Sequence, residues 1–200
     1  YLGTTADWAT LEVTNDVTVN TTHLVINDGS QLVGSGAAKL TVKDNANLYI
    51  RGADNFPTGF ADVVLEPLSW VRYDANMNQT VRGGLDYGYL YTYLQTKTVD
   101  ASLNIQSNLY IYATEADAAV LDLGAFDHYL QGSIFDNYDI NRPLRRSYIR
   151  ASGGTFYLNG ESVNQTVYCR TNDPKAYVFN NFVITNVNPT IVKTVTFNGY

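Results

Sequence analysis

The stretch from Val17 to Ile50 decides the fold. Its apolar groups Val17-Thr18-Val19, Leu24-Val25-Ile26, Leu32-Val33, Leu40-Thr41-Val42 and Leu48-Tyr49-Ile50 begin 7, 8, 8 and 8 residues apart. Each group is long enough for a very short strand with alternate side chains on opposite faces. Between them lie Asn20-Thr21-Thr22, Asn27-Asp28-Gly29-Ser30, Gly34-Ser35-Gly36 and Lys43-Asp44-Asn45-Ala46-Asn47. Gly and Asn in these clusters tolerate left-handed backbone, and the polar side chains bond nearby amides, so each cluster reads as a corner. Antiparallel hairpins join longer strands through two-residue loops, and these corners are longer than that. Three short strands and three bends make a coil of roughly 22–24 residues, and such coils stack about 4.8 Å apart. The expectation is an all-β chain, a parallel β-helix (β-solenoid) of about 8–9 coils forming one domain over residues 1–200. Val, Leu and Ile should line its axis in columns, and corner Asn and Thr should bond their copies above and below.

Composition agrees. Of 200 residues, 45% are apolar, enough for a substantial core, and only 16% are charged. Thr, Asn, Tyr and Val are abundant, which favours strands and turns over helices. Lys and Arg number 13 against 19 Asp and Glu, a net charge of −6, which argues against nucleic-acid and anionic-membrane partners. No apolar run approaches the roughly 20 residues that cross a bilayer as a helix. One cysteine and two histidines exclude an internal disulfide framework and a Cys/His zinc site. No calcium-loop pattern appears, and neither a cofactor nor a designed metal site is expected. The chain opens at Tyr1 rather than Met, and reads as a processed product or a piece cut from something longer.

A longer repeat overlies the short one. Trp70–Val81 resembles Phe156–Val167, the two sharing Asn-Gln-Thr-Val at an offset of 86, and Tyr89–Leu94 parallels Tyr177–Phe182 at an offset of 88. Lys97-Thr98-Val99 is echoed by Lys193-Thr194-Val195. The segments around 70–111 and 156–200 are therefore expected to be degenerate copies of a unit of about four coils. Two stretches fit the pulse poorly. Ala113–Leu130 contains a helix-start signal at Thr114, but Val120-Leu121-Asp122-Leu123 is read as strand. Asp54-Asn55-Phe56-Pro57-Thr58-Gly59 is read as a loop bulging from a corner.

Candidate binding residues fall in two groups. Tyr87, Tyr89, Tyr91 and Tyr93 alternate with smaller residues, so one extended strand would put four phenol rings on one face, for stacking on sugars or, if that face points inward, for core packing or stacking between coils. Arg142, Arg145, Arg146 and Arg150 cluster in an acidic chain, and their guanidinium forks suit carboxylate, phosphate or sulfate groups, or pair with Asp136, Asp139 or an acidic face of a neighbouring subunit. Asp136, Asp139 and Arg142 are the nearest constellation for polysaccharide cleavage. His23 and His128 lack a nucleophile motif, and Cys169 lacks a histidine partner, so packing roles are expected for them. Asn20, Asn78 and Asn164 stand in glycosylation sequons, and are read instead as corner residues that satisfy backbone groups.

The string Tyr73-Asp74-x-x-x-Asn78-Gln79-Thr80-Val81, with Tyr177-x-Phe179-Asn180-Asn181-Phe182-x-Ile184 and the alternating Thr/Val strands, resembles the repeats of giant secreted surface proteins of Bacteroidota-type bacteria, including gliding-motility adhesins. The resemblance spans most of residues 10–200. It implies a parallel β-helix stalk exported to the cell surface, a non-enzymatic segment of an extracellular fibre or adhesin. Its partners would be further coils or further copies end to end, and surface glycans. The alternatives are a polysaccharide-degrading β-helix enzyme or a glycan-binding module using the tyrosine row.

Overall fold

The computed structural model describes residues 9–137, 145–160, 164–169, 177–185 and 194–199. Its strands follow one another in layers. The first holds β1 (Thr10–Val13), β2 (Val17–Val19) and β3 (His23–Ile26), and the second β4 (Gln31–Gly34), β5 (Lys39–Val42) and β6 (Asn47–Ile50). In the third, a loop replaces the first strand, leaving β7 (Asp62–Leu65) and β8 (Trp70–Tyr73). Then come β9 (Gln79–Val81), β10 (Asp86–Tyr87) and β11 (Tyr89–Tyr93), followed by β12 (Gln95–Val99), β13 (Asn104–Ile105) and β14 (Leu109–Tyr112). β15 (Ala119–Asp122), β16 (His128–Leu130) and β17 (Ile134–Asp136) precede β18 (Ser147–Arg150), β19 (Thr155–Leu158) and β20 (Gln165–Cys169). β21 (Tyr177–Val178), β22 (Asn181–Ile184) and β23 (Val195–Gly199) form the last layer.

All pairings between these strands are parallel, each strand bonding its counterpart one layer on. The chain is a three-faced β-solenoid. One face carries β1-β4 and then β9-β12-β15-β18-β21, and the second carries β2-β5-β7 and then β10-β13-β16-β19-β22. The third is unbroken over eight strands, β3-β6-β8-β11-β14-β17-β20-β23. Inward positions alternate with half-exposed ones along most strands. On the third face Leu24, Leu48, Val71, Leu90, Leu109, Ile134 and Val167 stack in register as one apolar column. Fully burying each such side chain contributes roughly 1.5–3 kcal/mol.

The fold matches expectation, with eight strand layers joined by about seven turns, slightly fewer than the eight or nine coils expected. Turn length explains the difference. His23 pairs with Asn47, Asn47 with Trp70, Trp70 with Tyr89 and Leu90 with Leu109, offsets of 24, 23, 19 and 19. Leu109 pairs with Ile134, Ile134 with Val167 and Gln165 with Val195, offsets of 25, 33 and 30. The two 19-residue turns depend on one-residue corners at Gly88 and Leu94. A Cβ on Gly88 would lie 2.5 Å from the Glu66 carbonyl oxygen and 2.6 Å from that of Ser69, so only glycine fits. Leu94 and Gln95 both take left-handed backbone with φ of 52°, a strained conformation for residues with a Cβ.

The stretch after Ala113 is strand, β15, as read. Thr114 starts only a turn: its amide donates to the Asp117 carbonyl while the Asp117 amide donates to its hydroxyl. Loop 54–59 departs from the bulge expected of it, since Asn55 and Phe56 turn inward and are buried. Corner Asn and Asp side chains bond main chain rather than their own copies. Asp16, Asp44, Asn78, Asn108, Asp127 and Asn164 each accept the backbone amide of a residue one turn on, those of Lys39, Leu68, Thr96, Ser133, Thr155 and Thr194.

Candidate functional site

The four tyrosines separate at Gly88. The corner there ends β10 and starts β11, so the alternation does not run through it. Tyr87 points into the core with no exposed surface, whereas Tyr89, Tyr91 and Tyr93 lie half-buried on the outside of the third face. This corrects the expectation of one four-ring row. The three outer rings join a larger aromatic set. Trp70 stacks on Tyr89 with centroids 4.3 Å apart and planes 19° from parallel, Tyr110 on Phe135 at 5.2 Å and 15°, and Phe135 on Tyr168 at 5.1 Å and 25°. Tyr91 meets Tyr112 edge to face at 5.1 Å. The Arg72 guanidinium sits 4.6 Å from the Trp70 ring centre, 5.1 Å from Tyr91 and 5.5 Å from Tyr49. Stacking between turns covers ring faces, which a sugar would need for its own stacking contact, and fastens one turn to the next.

Tyr87 belongs instead to a closed hydrogen-bond ring that sequence reading missed. The Arg82 amide donates to the Tyr73 hydroxyl oxygen at 3.0 Å, and the Tyr87 hydroxyl donates to the Arg82 carbonyl at 2.5 Å. The two phenol oxygens are 3.3 Å apart. Tyr87 has one proton and gives it to the carbonyl, so Tyr73 is the donor between the phenols. Burial pushes both phenols well above the ordinary tyrosine range, and they stay neutral. Two core tyrosines therefore grip both peptide groups of a residue whose guanidinium is exposed. The nearest sequence signal was Val81-Arg82-Gly83-Gly84, an arginine at the exit of a strand.

A second set of buried polar groups closes the corner after the third face. Asn55 donates to the carbonyls of Ile26, Asn27 and Ser30, and Gln79 to those of Ile50 and Gly52 at 2.8 and 2.9 Å. Lys97, 1% exposed, donates to Ala75 and Met77 at 2.8 and 2.7 Å. Burial pulls its amine down to about 7, opposed by Asp74. Gln165 repeats the arrangement on Leu130 and Gly132. Both Asn-Gln-Thr-Val strings thus do the same work: Asn accepts an amide from the next turn and Gln holds carbonyls of the previous one. Yet Gln79 opens a strand of the first face and Gln165 one of the third.

The arginines are only partly described. Arg142 and Asp139 lie outside the described residues. Arg145 donates to the Asn137 carbonyl at 3.3 Å, and Arg146 is exposed. Arg150 closes β18 in register with Asp122, its guanidinium 5.6 Å from the Tyr148 ring centre. Asp136 ends β17 on the third face. His128 is buried: its Nδ1 accepts the Leu103 amide at 3.1 Å, which leaves the proton on Nε2 to donate to the Leu123 carbonyl at 2.9 Å. Desolvation lowers its pKa. His23 lies edge to face with Tyr49. Cys169 closes β20. Among the described residues no three His, Cys, Asp or Glu side chains gather as metal ligands. Compared with protein-family models, curated proteins and solved structures, the chain finds no match.

Proposed function

We propose that the chain is a non-enzymatic structural segment of a bacterial extracellular surface fibre or adhesin stalk, continued end to end by further coils or further copies. The observation that carries this reading is the unbroken eight-stranded third face with its aromatic rings stacked from turn to turn. A parallel ladder along the axis, reinforced by ring stacking outside and by apolar columns inside, resists bending and makes length. The use of chemically capable side chains points the same way. His128, Lys97, Gln79, Gln165, Asn78 and Asn164 each bond main chain within the coil stack. Stacking on sugars by the tyrosine row is disfavoured because the rings of that face pack against one another.

Electron microscopy of the native material with intact mass measurement tests the proposal. Thin rods lengthening with chain mass or with self-association support it. Compact particles that stay dispersed at high concentration, or cleavage of acidic polysaccharides in a reducing-sugar or lyase assay, overturn it.

A further inference from the structure

The first and second faces both break at one level, between the 23-residue turn and the first 19-residue turn. On the first face β4 is followed by a single bridge, Val33 to Thr58, before β9 begins. On the second, β7 and β10 belong to separate sheets. The 19-residue turn does not cover the loop-bearing 23-residue turn strand for strand, and a cavity of about 180 Å³ opens where they part. One wall is the loop with Asp54, Phe56 and Phe60, and the other carries Thr80, Arg82 and Asp100.

Both walls are held firmly. The loop is tied to β4 by the Gly34 amide on the Thr58 carbonyl at 2.8 Å and the Thr58 amide on the Leu32 carbonyl at 3.1 Å. A Cβ on Gly59 would stand 2.5 Å from the Gly34 oxygen, which keeps that contact glycine-only. Opposite, the tyrosine ring fixes the Arg82 backbone. Asp100 accepts the Gly83 amide and lies 3.7 Å from the Arg82 guanidinium. These interactions exist without a ligand, which lowers the ordering cost of binding one.

The lining selects the ligand's chemistry. Two carboxylates beside one guanidinium disfavour an anion, and the guanidinium disfavours a cation. Acceptors, a five-N–H donor group and a hydroxyl beside two phenyl rings suit a neutral molecule with a hydroxyl rim and an apolar face. The volume is below the usual range for drug-sized ligands, about 300–1,000 Å³. We propose that this cavity binds a single pyranose unit of a neutral glycan. The site lies away from the tyrosine row and stands or falls independently of the fibre reading.

The test is a ¹H–¹⁵N NMR titration of the full chain with the methyl glycosides of glucose, galactose, mannose and N-acetylglucosamine, with sodium acetate and tetramethylammonium chloride as charged probes. The expected result is a saturable millimolar response to at least one glycoside, confined to amides of residues 54–60, 80–85 and 100. Asp54→Ala and Arg82→Ala, whose side chains face solvent, should each weaken it roughly tenfold with the amide spectrum otherwise intact. Tyr91→Ala, on the third face, should leave it unchanged. No saturable shift with any of the four glycosides, shifts that persist at full strength in both cavity variants, or a saturable response to a charged probe alone overturns the proposal.

Discussion

Replacing Tyr87 and Tyr73 by phenylalanine, singly and together, tests the hydrogen-bond ring, because its proton count predicts unequal and non-additive losses. Tyr73→Phe strips the Arg82 amide of its acceptor but leaves Tyr87 donating to the Arg82 carbonyl. Two pairings are lost with the Tyr73 hydroxyl, but the only proton left bare is the part-buried Arg82 amide, and an unused lone pair on Tyr87 costs little, so the loss is ~1 kcal/mol. Tyr87→Phe removes the donor to the Arg82 carbonyl and also strands the proton of Tyr73, a fully buried phenol, at a further ~1–3 kcal/mol. Its total is ~2–4 kcal/mol. The double variant has no stranded phenol proton, only the two groups of Arg82, and should cost ~2 kcal/mol. It should therefore be more stable than the sum of the single losses by ~1–3 kcal/mol, a coupling that urea denaturation with a double-mutant cycle resolves. Equal single losses that add within ~0.5 kcal/mol would refute the ring and the proton order assigned to it.

Three other outcomes follow from the same geometry. Lys97 has its pKa lowered from 10.5 to about 7, so the unfolded chain holds the extra proton between those values and stability should rise with pH across that window. The full displacement is a ceiling of ~5 kcal/mol; the two carbonyls favour the ammonium and reduce the expected gain to ~1–3 kcal/mol. Tyr73 and Tyr87, with raised pKa values, reverse the trend above pH 10, so denaturation midpoints should peak on the alkaline side; a peak at pH 6 that persists in Lys97→Met contradicts this. Trp70→Ala loses its stack on Tyr89 and its contact with Arg72, and a drop of ~1–2.5 kcal/mol in urea is expected, where an unchanged midpoint would mean the rings do not bind turn to turn. Gln79→Leu leaves two carbonyls and the Ala75 amide bare at near-constant volume and should cost ~2–4 kcal/mol by thermal or urea unfolding, against a null change if water takes its place.

The eight-residue pulse of residues 17–50 was enough to find the solenoid, because strand and corner are both local decisions there. Alternation within Leu40-Thr41-Val42 or Leu48-Tyr49-Ile50 reports directly which side chain meets the axis. Alternation places Tyr87 on the wrong side because it carries across a strand but not across a corner, and nothing in Tyr87-Gly88-Tyr89 marks a one-residue corner except a glycine. Leu94 gives even less warning, since leucine is no left-handed residue. The Asn-Gln-Thr-Val pair was visible, but similarity at an offset of 86 recorded a corner device used on two faces. Nothing local marks Lys97, between two threonines, as buried, and only the pairing of Lys97 with Gln79 places it in the buried column.

Turn length explains why the cavity was illegible while the fold was not. The third face needs only that each turn bring one short strand back over the last, and it stays paired at every offset from 19 to 33 residues. The other two faces must absorb the difference. Where the turn grows from 19 to 25 residues, the corner after the third face expands from Leu94 alone to residues 113–118, a turn closed by Thr114 and Asp117. Both other faces remain paired there, β12 to β15 and β13 to β16. Where the turn contracts from 23 to 19, the longer turn has put a loop in place of its first strand, and β9 meets the start of that loop, the Thr80 amide donating to the Ala53 carbonyl at 2.8 Å, without forming a strand pair with it. Growth is stored in a corner there, whereas this contraction, unlike the later one from 33 to 30 residues with all three faces paired, leaves part of the longer turn's loop uncovered. A cleft in this fold is therefore a property of two successive turns compared, which no single repeat of the sequence contains.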